Sequence, residues 1–260
     1  LEEEASKIIE RKENEVFYGL DRLGIPLIEI GTAPDIKTPS HARETAEKIG
    51  MMLRATGRVK RGLGTIRQDV NVSISGGARI EIKGMQDLKS MEKTIENEVD
   101  RQVTLLEIKE ELNKRKANVD EEVLDVTLLF QNTKNSMLSN LISKGKKVYA
   151  FKLTGFGGIL KQSVCEGKTF GKELSDYAKP YGVTGFIHTD EDLGKYNLTR
   201  EFLKLKKEFN HTRNDVVAIL CEDSDKAKRA CLAIINRAKF AMEGVPEETR
   251  MARDDETTSY

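Results

Sequence analysis

The chain has 260 residues, enough for two ordinary domains, and a third of them are charged, which suits a water-facing protein. Its 43 basic residues balance its 43 acidic residues, so a basic patch for nucleic acid would have to be local. The three cysteines show no spacing typical of a disulfide framework or a zinc site. No apolar run approaches the ~20 residues of a membrane helix, and no signal peptide is evident. We therefore expect a cytoplasmic protein with no membrane partner.

Both ends of the sequence suggest an internal fragment of a longer protein. Leu1 opens directly into a charged stretch without an initiator methionine, and Tyr260 ends the chain without a closing helix or cap.

The first chemically unusual position is Glu29, inside the apolar run Ile25 to Ile30. An unpartnered buried glutamate is costly because its charge loses water. Glu29 is therefore either a strand-edge residue that faces solvent or a residue placed in a site.

The first helix is predicted to begin at Thr38-Pro39, with Thr38 as N-cap and Pro39 in the first helical position. Gly57 supplies a left-handed end. Apolar residues at spacings of three and four predict an amphipathic helix packed on a sheet. These residues are Ala42, Ala46, Ile49 and Leu53.

The next segment alternates polar and apolar residues around a Gly-Gly pair, which predicts a hairpin. A three-residue loop at 76–78 would place Val72 opposite Ile82, and Ile74 opposite Ile80. Burying four β-branched side chains together is worth ~1.5–3 kcal/mol each, which favours this register over a two-residue turn. The polar face of the hairpin then holds Arg67, Asp69, Asn71, Ser73, Glu81 and Lys83.

This polar face has the residue types of a phosphoryl-transfer site. Asp69, Asn71 and Glu81 offer the hard oxygen ligands that suit Mg²⁺. Lys83 and Arg67 suit phosphate oxygens. The alternative is an exposed sheet face with cross-strand ion pairs, and the spacing alone leaves both open.

A long helix is predicted next, followed by a domain boundary near 117–120 and a second unit of alternating strands and helices. The buried stripe of the long helix is predicted to be Leu88, Met91, Ile95, Val99, Val103 and Leu106. In the second unit we expect a short helix around 123–130, strands at 147–153, 183–188 and 216–221, and a helix capped by Ser224. The loop at Gly155 is not a phosphate-binding P-loop, because no Gly-Lys-Ser/Thr follows it.

The blocks Asp21–Ile36 and Ile66–Gly84 resemble the GatB/GatE family, the subunits of tRNA-dependent amidotransferases. Gly84 stands where the B-type commonly has asparagine, which favours the archaeal E-type branch. Residues from about 120 to 243 resemble the GAD insert found in that branch and in bacterial aspartyl-tRNA synthetases. The resemblance implies an α+β fold with a partial catalytic cradle, mainly antiparallel sheet with helices, at 1–117. It further implies an α+β GAD insert at 118–243 and a return segment at 244–260.

The family implies a ligase that converts Glu-tRNA(Gln) to Gln-tRNA(Gln). ATP, with Mg²⁺, phosphorylates the tRNA-bound glutamate, and ammonia from an asparaginase-like partner, the D-type amidotransferase polypeptide, displaces the phosphate. Carried onto this sequence, the resemblance makes Glu29, Asp69 and Asn71 the catalytic residues, with Glu29 and Asp69 as metal ligands. It makes Arg67, Ser73, Glu81 and Lys83 the neighbours of the nucleotide.

The sequence also departs from the family. The N-terminal segment with a metal-binding histidine and a further glutamate is absent, as are the C-terminal helical and tail domains. We therefore expect this chain alone to be inactive and to bind MgATP weakly or not at all. Two alternatives stay open: a fragment of an aspartyl-tRNA synthetase, and a non-catalytic tRNA-binding or scaffold module. The synthetase alternative lacks support in residues 21–100, which contain no Phe-Arg-Asp-Glu signature of class II aminoacyl-tRNA synthetases.

Overall fold

The computed structural model describes residues 2–12, 14–62, 64–85 and 87–260, and it is an α+β protein. The strands are β1 (Glu2–Glu3), β2 (Lys7–Arg11), β3 (Val16–Gly19), β4 (Pro26–Leu27), β5 (Gln68–Val72), β6 (Ile80–Met85), β7 (Leu124–Asp125), β8 (Lys147–Leu153), β9 (Ser163–Cys165), β10 (Lys168–Thr169), β11 (Ile187–His188), β12 (Val216–Glu222), β13 (Thr249–Ala252) and β14 (Thr258–Ser259). The helices are α1 (Pro39–Ala55), α2 (Leu88–Lys114), α3 (Thr127–Phe130), α4 (Ser136–Ser143), α5 (Phe170–Asp176), α6 (Thr199–Glu208) and α7 (Ser224–Glu243). None of the helices described combines the length and the apolar character that crossing a membrane requires.

Helix α1 begins and ends as the sequence predicts. The Thr38 side chain accepts a hydrogen bond from the backbone N–H of His41 at 3.2 Å, which caps the first turn before Pro39 enters it. The chain leaves the helix at Gly57, whose φ of +66° lies in the left-handed region. Ala42 faces the core that α1 shares with α2 and the first sheet.

A four-stranded sheet in the order β14-β13-β6-β5 carries the predicted hairpin. Strands β5 and β6 are antiparallel, but the predicted register is wrong by two residues. Val72 lies opposite Ile80, and Val70 lies opposite Ile82. Because side chains alternate with a period of two, this shift leaves the side chains within the two strands on their predicted faces.

The ladder ends at the pair of Val72 and Ile80, and a turn follows in which the Gly77 N–H donates to the carbonyl of Ile74 at 3.1 Å. A buried glutamine contacts both sides of this loop: the Gln102 amide on α2 donates to the carbonyl of Val72 at 3.4 Å and accepts from the N–H of Ala78 at 3.3 Å. The connection is a seven-residue loop, 73–79, instead of 76–78, and Ile74 lies in that loop, outside both strands.

The predicted stripe of α2 is confirmed in its first half, where Met91 and Ile95 are buried and Leu88 and Val99 pack against the same core. It fails at Val103, which is 43% exposed. Glu98, Arg101 and Gln102 are buried there instead, and an apolar pattern takes no account of such polar residues with partners within the protein. Leu112 is likewise buried near the end of the helix, in a stretch that looks charged and solvated in the sequence.

A second antiparallel sheet, in the order β11-β12-β8-β7, forms the centre of the following unit. Its central pair runs in register from Val216 opposite Leu153 to Glu222 opposite Lys147. Phe151 and Ala218 face one core together with residues of α2 and α7, while Ala150 and Val217 face another core with residues of α6. The core that Phe151 and Ala218 face contains residues from before and after position 118. The predicted domain boundary at position 118 stays a prediction.

Three element limits in this unit differ from the predicted ones. Residues 123–130 form strand β7 and the short helix α3 instead of one helix, and strand β11 covers only 187–188. The third concerns Ser224, which is the first residue of α7 and not its cap. Its hydroxyl is 2.7 Å from the Tyr149 hydroxyl, so it is engaged with strand β8.

A buried ionic cluster joins α2, α5, α7 and β13. Its centre is Glu173, whose carboxylate accepts hydrogen bonds from Arg101 at 2.7 Å, from Arg237 at 3.3 Å and from Arg250 at 2.9 and 3.1 Å. Lys168 Nζ lies 2.8 Å from the same carboxylate. All five side chains are at most 3% exposed. The other carboxylates in contact with these cations are Glu98, Glu248 and Asp176.

Candidate functional site

The polar face of the first sheet brings together four of the candidate residues, of which Glu81 is half-buried and the other three are exposed. Asp69 and Asn71 lie on β5 and point to the same side. Asn71 is directly opposite Glu81 on β6. Lys83 Nζ lies 3.6 Å from Glu81 Oε2. Carboxylate, amide and ammonium groups therefore share one solvent-facing patch, which we call the polar sheet face (Asp69, Asn71, Glu81 and Lys83).

A β-bulge shapes this face at Asp69. Gln68 lies opposite Met85 and Val70 lies opposite Ile82, so two residues of β6, Lys83 and Gly84, oppose the single residue Asp69. Gly84 has a φ of +78°, which L-residues rarely adopt. Bulges often re-aim side chains next to sites, and here the bulge places Lys83 and Gly84 across from Asp69. The glycine that interrupts the alternating pattern was the sequence signal for it.

We expect Gly84→Ala to destabilise the protein by about 1–2 kcal/mol, because alanine strains the left-handed backbone. Gly84→Asn should cost less, because asparagine visits that region more readily. Gly50→Ala on α1 is the matched control: nothing lies within 4 Å of the added methyl group, and helix propensity favours alanine. Urea denaturation measures all three. Equal losses for Gly84→Ala and Gly84→Asn would contradict the role of the bulge conformation.

Three other candidate residues are not part of the polar sheet face. Strand β4 ends at Leu27, and Glu29 lies beyond it as an exposed residue, so it is not a strand-edge residue. Ser73 is exposed in the loop after β5. Arg67 precedes β5 and forms an ion pair with Glu4.

The donor set fits a magnesium ion that arrives with a phosphate ligand better than a dedicated metal cage. In the part of the chain that the structure describes, no group of three or more His, Cys, Asp or Glu side chains could hold a metal ion. Mg²⁺ commonly takes only one or two carboxylates and completes its shell with phosphates and water. Asp69 and Glu81 offer such carboxylates on the exposed face.

Sequence reasoning missed one residue of this region, Thr249. Strand β13 runs parallel to β6 and places Thr249 opposite Glu81. The Thr249 hydroxyl donates to Glu81 Oε2 at 2.9 Å. The two residues are far apart in the sequence, and no local pattern could have paired them.

Burial keeps several other reactive groups neutral. It raises the pKa of Cys165 to about 11 and that of Cys231 to about 12, and it lowers the pKa of His188 to about 4. A thiol that stays protonated at neutral pH is a poor nucleophile and metal ligand. Two aromatic residues of the second unit, Phe156 and Tyr149, are buried in its core. They are therefore not free to stack on a nucleobase of tRNA.

Comparison with known proteins supplies the family. The model of the GatB/GatE catalytic domain matches residues 1–259. The chain is 53% identical to the E-type polypeptide of the glutamyl-tRNA(Gln) amidotransferase from Methanocaldococcus jannaschii, over 100% of this chain and 42% of that protein. It is 52% identical to the E-type polypeptide from Methanosarcina barkeri and 50% identical to that from Archaeoglobus fulgidus, again over 100% of this chain.

The chain spans about two fifths of the length of these curated relatives. A match over the whole chain at this level of identity disfavours the alternative of an aspartyl-tRNA synthetase, which shared only the predicted insert with this sequence. The exposed polar sheet face lies within the matched region. This chain belongs to the GatB/GatE family.

Proposed function

We propose that this chain is part of an archaeal E-type polypeptide of glutamyl-tRNA(Gln) amidotransferase, a cytoplasmic ligase that acts with an asparaginase-like D-type partner. Identity of 50–53% to E-type polypeptides of that enzyme supports the proposal. The observation that carries it in this molecule is the polar sheet face, where carboxylate, amide and ammonium groups meet on an exposed bulged hairpin.

The proposed reaction has two steps. The γ-carboxylate of the tRNA-bound glutamate attacks the γ-phosphorus of ATP, which forms an acyl phosphate and releases ADP. Ammonia from the partner subunit then attacks the acyl carbon, and phosphate leaves as the amide forms. Bound Mg²⁺ would neutralise the charge on the phosphates during the first step.

The roles of the residues follow from their chemistry. Asp69 would ligate Mg²⁺ together with Glu29, and Asn71 would orient the nucleotide or the carboxylate beside it. Lys83 offers a positive charge to the transferred phosphoryl group. Arg67, Ser73 and Glu81 are the further proposed neighbours of ATP. In this proposal residues 118–243 form a GAD-type insert that positions tRNA or supports assembly.

The test uses the full-length protein with its partner subunit, Glu-tRNA(Gln), ATP and Mg²⁺, and measures Gln-tRNA and ADP. We expect ATP-dependent amide formation by the wild type and a loss of about 10²-fold in Lys83→Ala, because a charge that stabilises the transferred phosphoryl group is removed. Lys89→Ala, on the exposed first turn of α2, is the control and should keep the wild-type rate.

Two outcomes would contradict the proposal at different levels. A wild-type protein that forms no amide would exclude the reaction. A fully active Lys83→Ala would leave the reaction in place but remove the phosphoryl-transfer chemistry from the polar sheet face. Ammonia release by the partner subunit, followed in parallel, should be the same in every variant.

A further inference from the structure

Strand β13 places Thr249 beside Glu81 on the polar sheet face. Thr249 Oγ1 lies 2.9 Å from Glu81 Oε2 and donates to it, and Lys83 Nζ lies 3.6 Å from the same oxygen. Both contacts fall on Oε2, so neither of them occupies Oε1 of Glu81. Two neighbours on one oxygen restrict the orientations that the carboxylate can take.

The position of Thr249 is set from the buried side of the same strand. Its neighbour Arg250 points to the opposite face, lies opposite Ile82 and is fully buried. The Arg250 guanidinium donates to both oxygens of Glu173 on α5, at 3.1 and 2.9 Å, and to Thr258 Oγ1 at 2.8 Å. A bidentate pair of this kind fixes geometry as well as charge.

We propose that Thr249 is a positioning residue for phosphoryl transfer, and that the Arg250–Glu173 pair fixes it in place. Through this relay, α5, which lies in the predicted insert, orients a carboxylate of the polar sheet face. The inference rests on the proposed function, because it assigns Glu81 to the site. It gives the region after residue 118 a part in the chemistry that does not require any contact with tRNA.

The test is Thr249→Val in the full-length protein with its partner subunit. Valine keeps the shape and the strand preference of threonine but cannot donate a hydrogen bond. We expect kcat for amide formation to fall about tenfold, because the held orientation of Glu81 is lost. The KM for Glu-tRNA(Gln) and the melting temperature should stay at the wild-type values, because Thr249 is exposed. Thr249→Ser, which keeps the hydroxyl, should restore kcat.

The outcomes separate this inference from the proposed function. Wild-type kcat in Thr249→Val would overturn the positioning role, and equal impairment of Thr249→Ser and Thr249→Val would attribute the loss to a disturbed strand. A fully active Glu81→Gln would also overturn the inference, because there would be nothing to position. In each case, wild-type amide formation and its loss in Lys83→Ala would still support the proposed function.

Discussion

Replacing Glu173 with alanine is expected to lower the free energy of unfolding by at least about 3–5 kcal/mol, the usual cost of breaking a buried ion pair on one side. Arg101, Arg237 and Arg250 would each lose a hydrogen-bond acceptor, and Lys168 would lose one of its carboxylates. None of these cations can reach water without moving the elements that bury them. Urea denaturation of the 260-residue chain, followed by circular dichroism, measures the loss.

Glu166→Ala is the matched control for this prediction. Glu166 pairs with Lys93 at 2.8 Å, but its side chain is 75% exposed. Exposed ion pairs contribute little because water and salt screen them, so we expect no measurable change. A Glu173→Ala protein as stable as Glu166→Ala would show that the cluster does not depend on its central carboxylate.

The same cluster predicts how stability depends on acid. Burial alone would raise the pKa of Glu173, but the charges of Arg250 and the other surrounding cations outweigh burial and hold it well below the usual range. A carboxyl with a lowered folded-state pKa stabilises the protein above its unfolded value, near 4.3, and this contribution is lost as pH falls through the folded value. Glu173→Gln should therefore be less stable at neutral pH and lose less stability on acidification. The remaining slope would come from the other carboxyls with lowered pKa values, which are Asp125, Glu166, Asp215, Glu222 and Asp255.

The largest expected effect on activity belongs to Asp69. In the full-length protein with its partner subunit, Asp69→Ala should reduce amide formation by about 10³-fold, because the proposed Mg²⁺ loses a ligand and the phosphate charge loses its compensation. Asp69→Asn, which keeps the shape of the side chain but not its charge, should be similarly impaired. Ammonia release by the partner and binding of tRNA should persist, since neither is expected to use this carboxylate.

Asp100→Ala tests whether any loss is specific to the polar sheet face. Asp100 is an exposed aspartate on α2, so its removal should leave the rate unchanged. Full activity of Asp69→Ala would support the alternative that this region is a non-catalytic tRNA-binding or scaffold module. Loss of tRNA binding together with activity would point instead to a disturbed fold.

Much of the local structure could be predicted from the sequence. The Thr38-Pro39 start and the Gly57 end of α1 depend only on capping and backbone preferences within one turn. Strand β8 was predicted at 147–153 and is found there, because a run of β-branched and aromatic residues marks a buried strand. Predicted limits failed where elements were short, as at β11, since two-residue strands carry almost no pattern of their own.

Local sequence pattern likewise predicted only part of the candidate site. Alternation placed Asp69, Asn71, Glu81 and Lys83 on one exposed face, and this assignment survived a two-residue error in register. Local pattern also suggested Glu29, but the structure leaves it outside the strand and exposed, so its part in the site stays a prediction.

The sequence by itself determined which side of the β5–β6 hairpin meets water, because that choice depends only on the polarity and spacing of nearby residues. The tertiary structure decided that the hairpin loop packs on α2, where the Gln102 amide contacts the backbone of Val72 and Ala78. It also decided that β13 lies beside β6 and that charged residues of α2 are buried. Burying a charge is favourable only when its partners arrive from elsewhere in the chain, and the partners of Arg101 and Arg250 include Glu173, more than 70 residues from either.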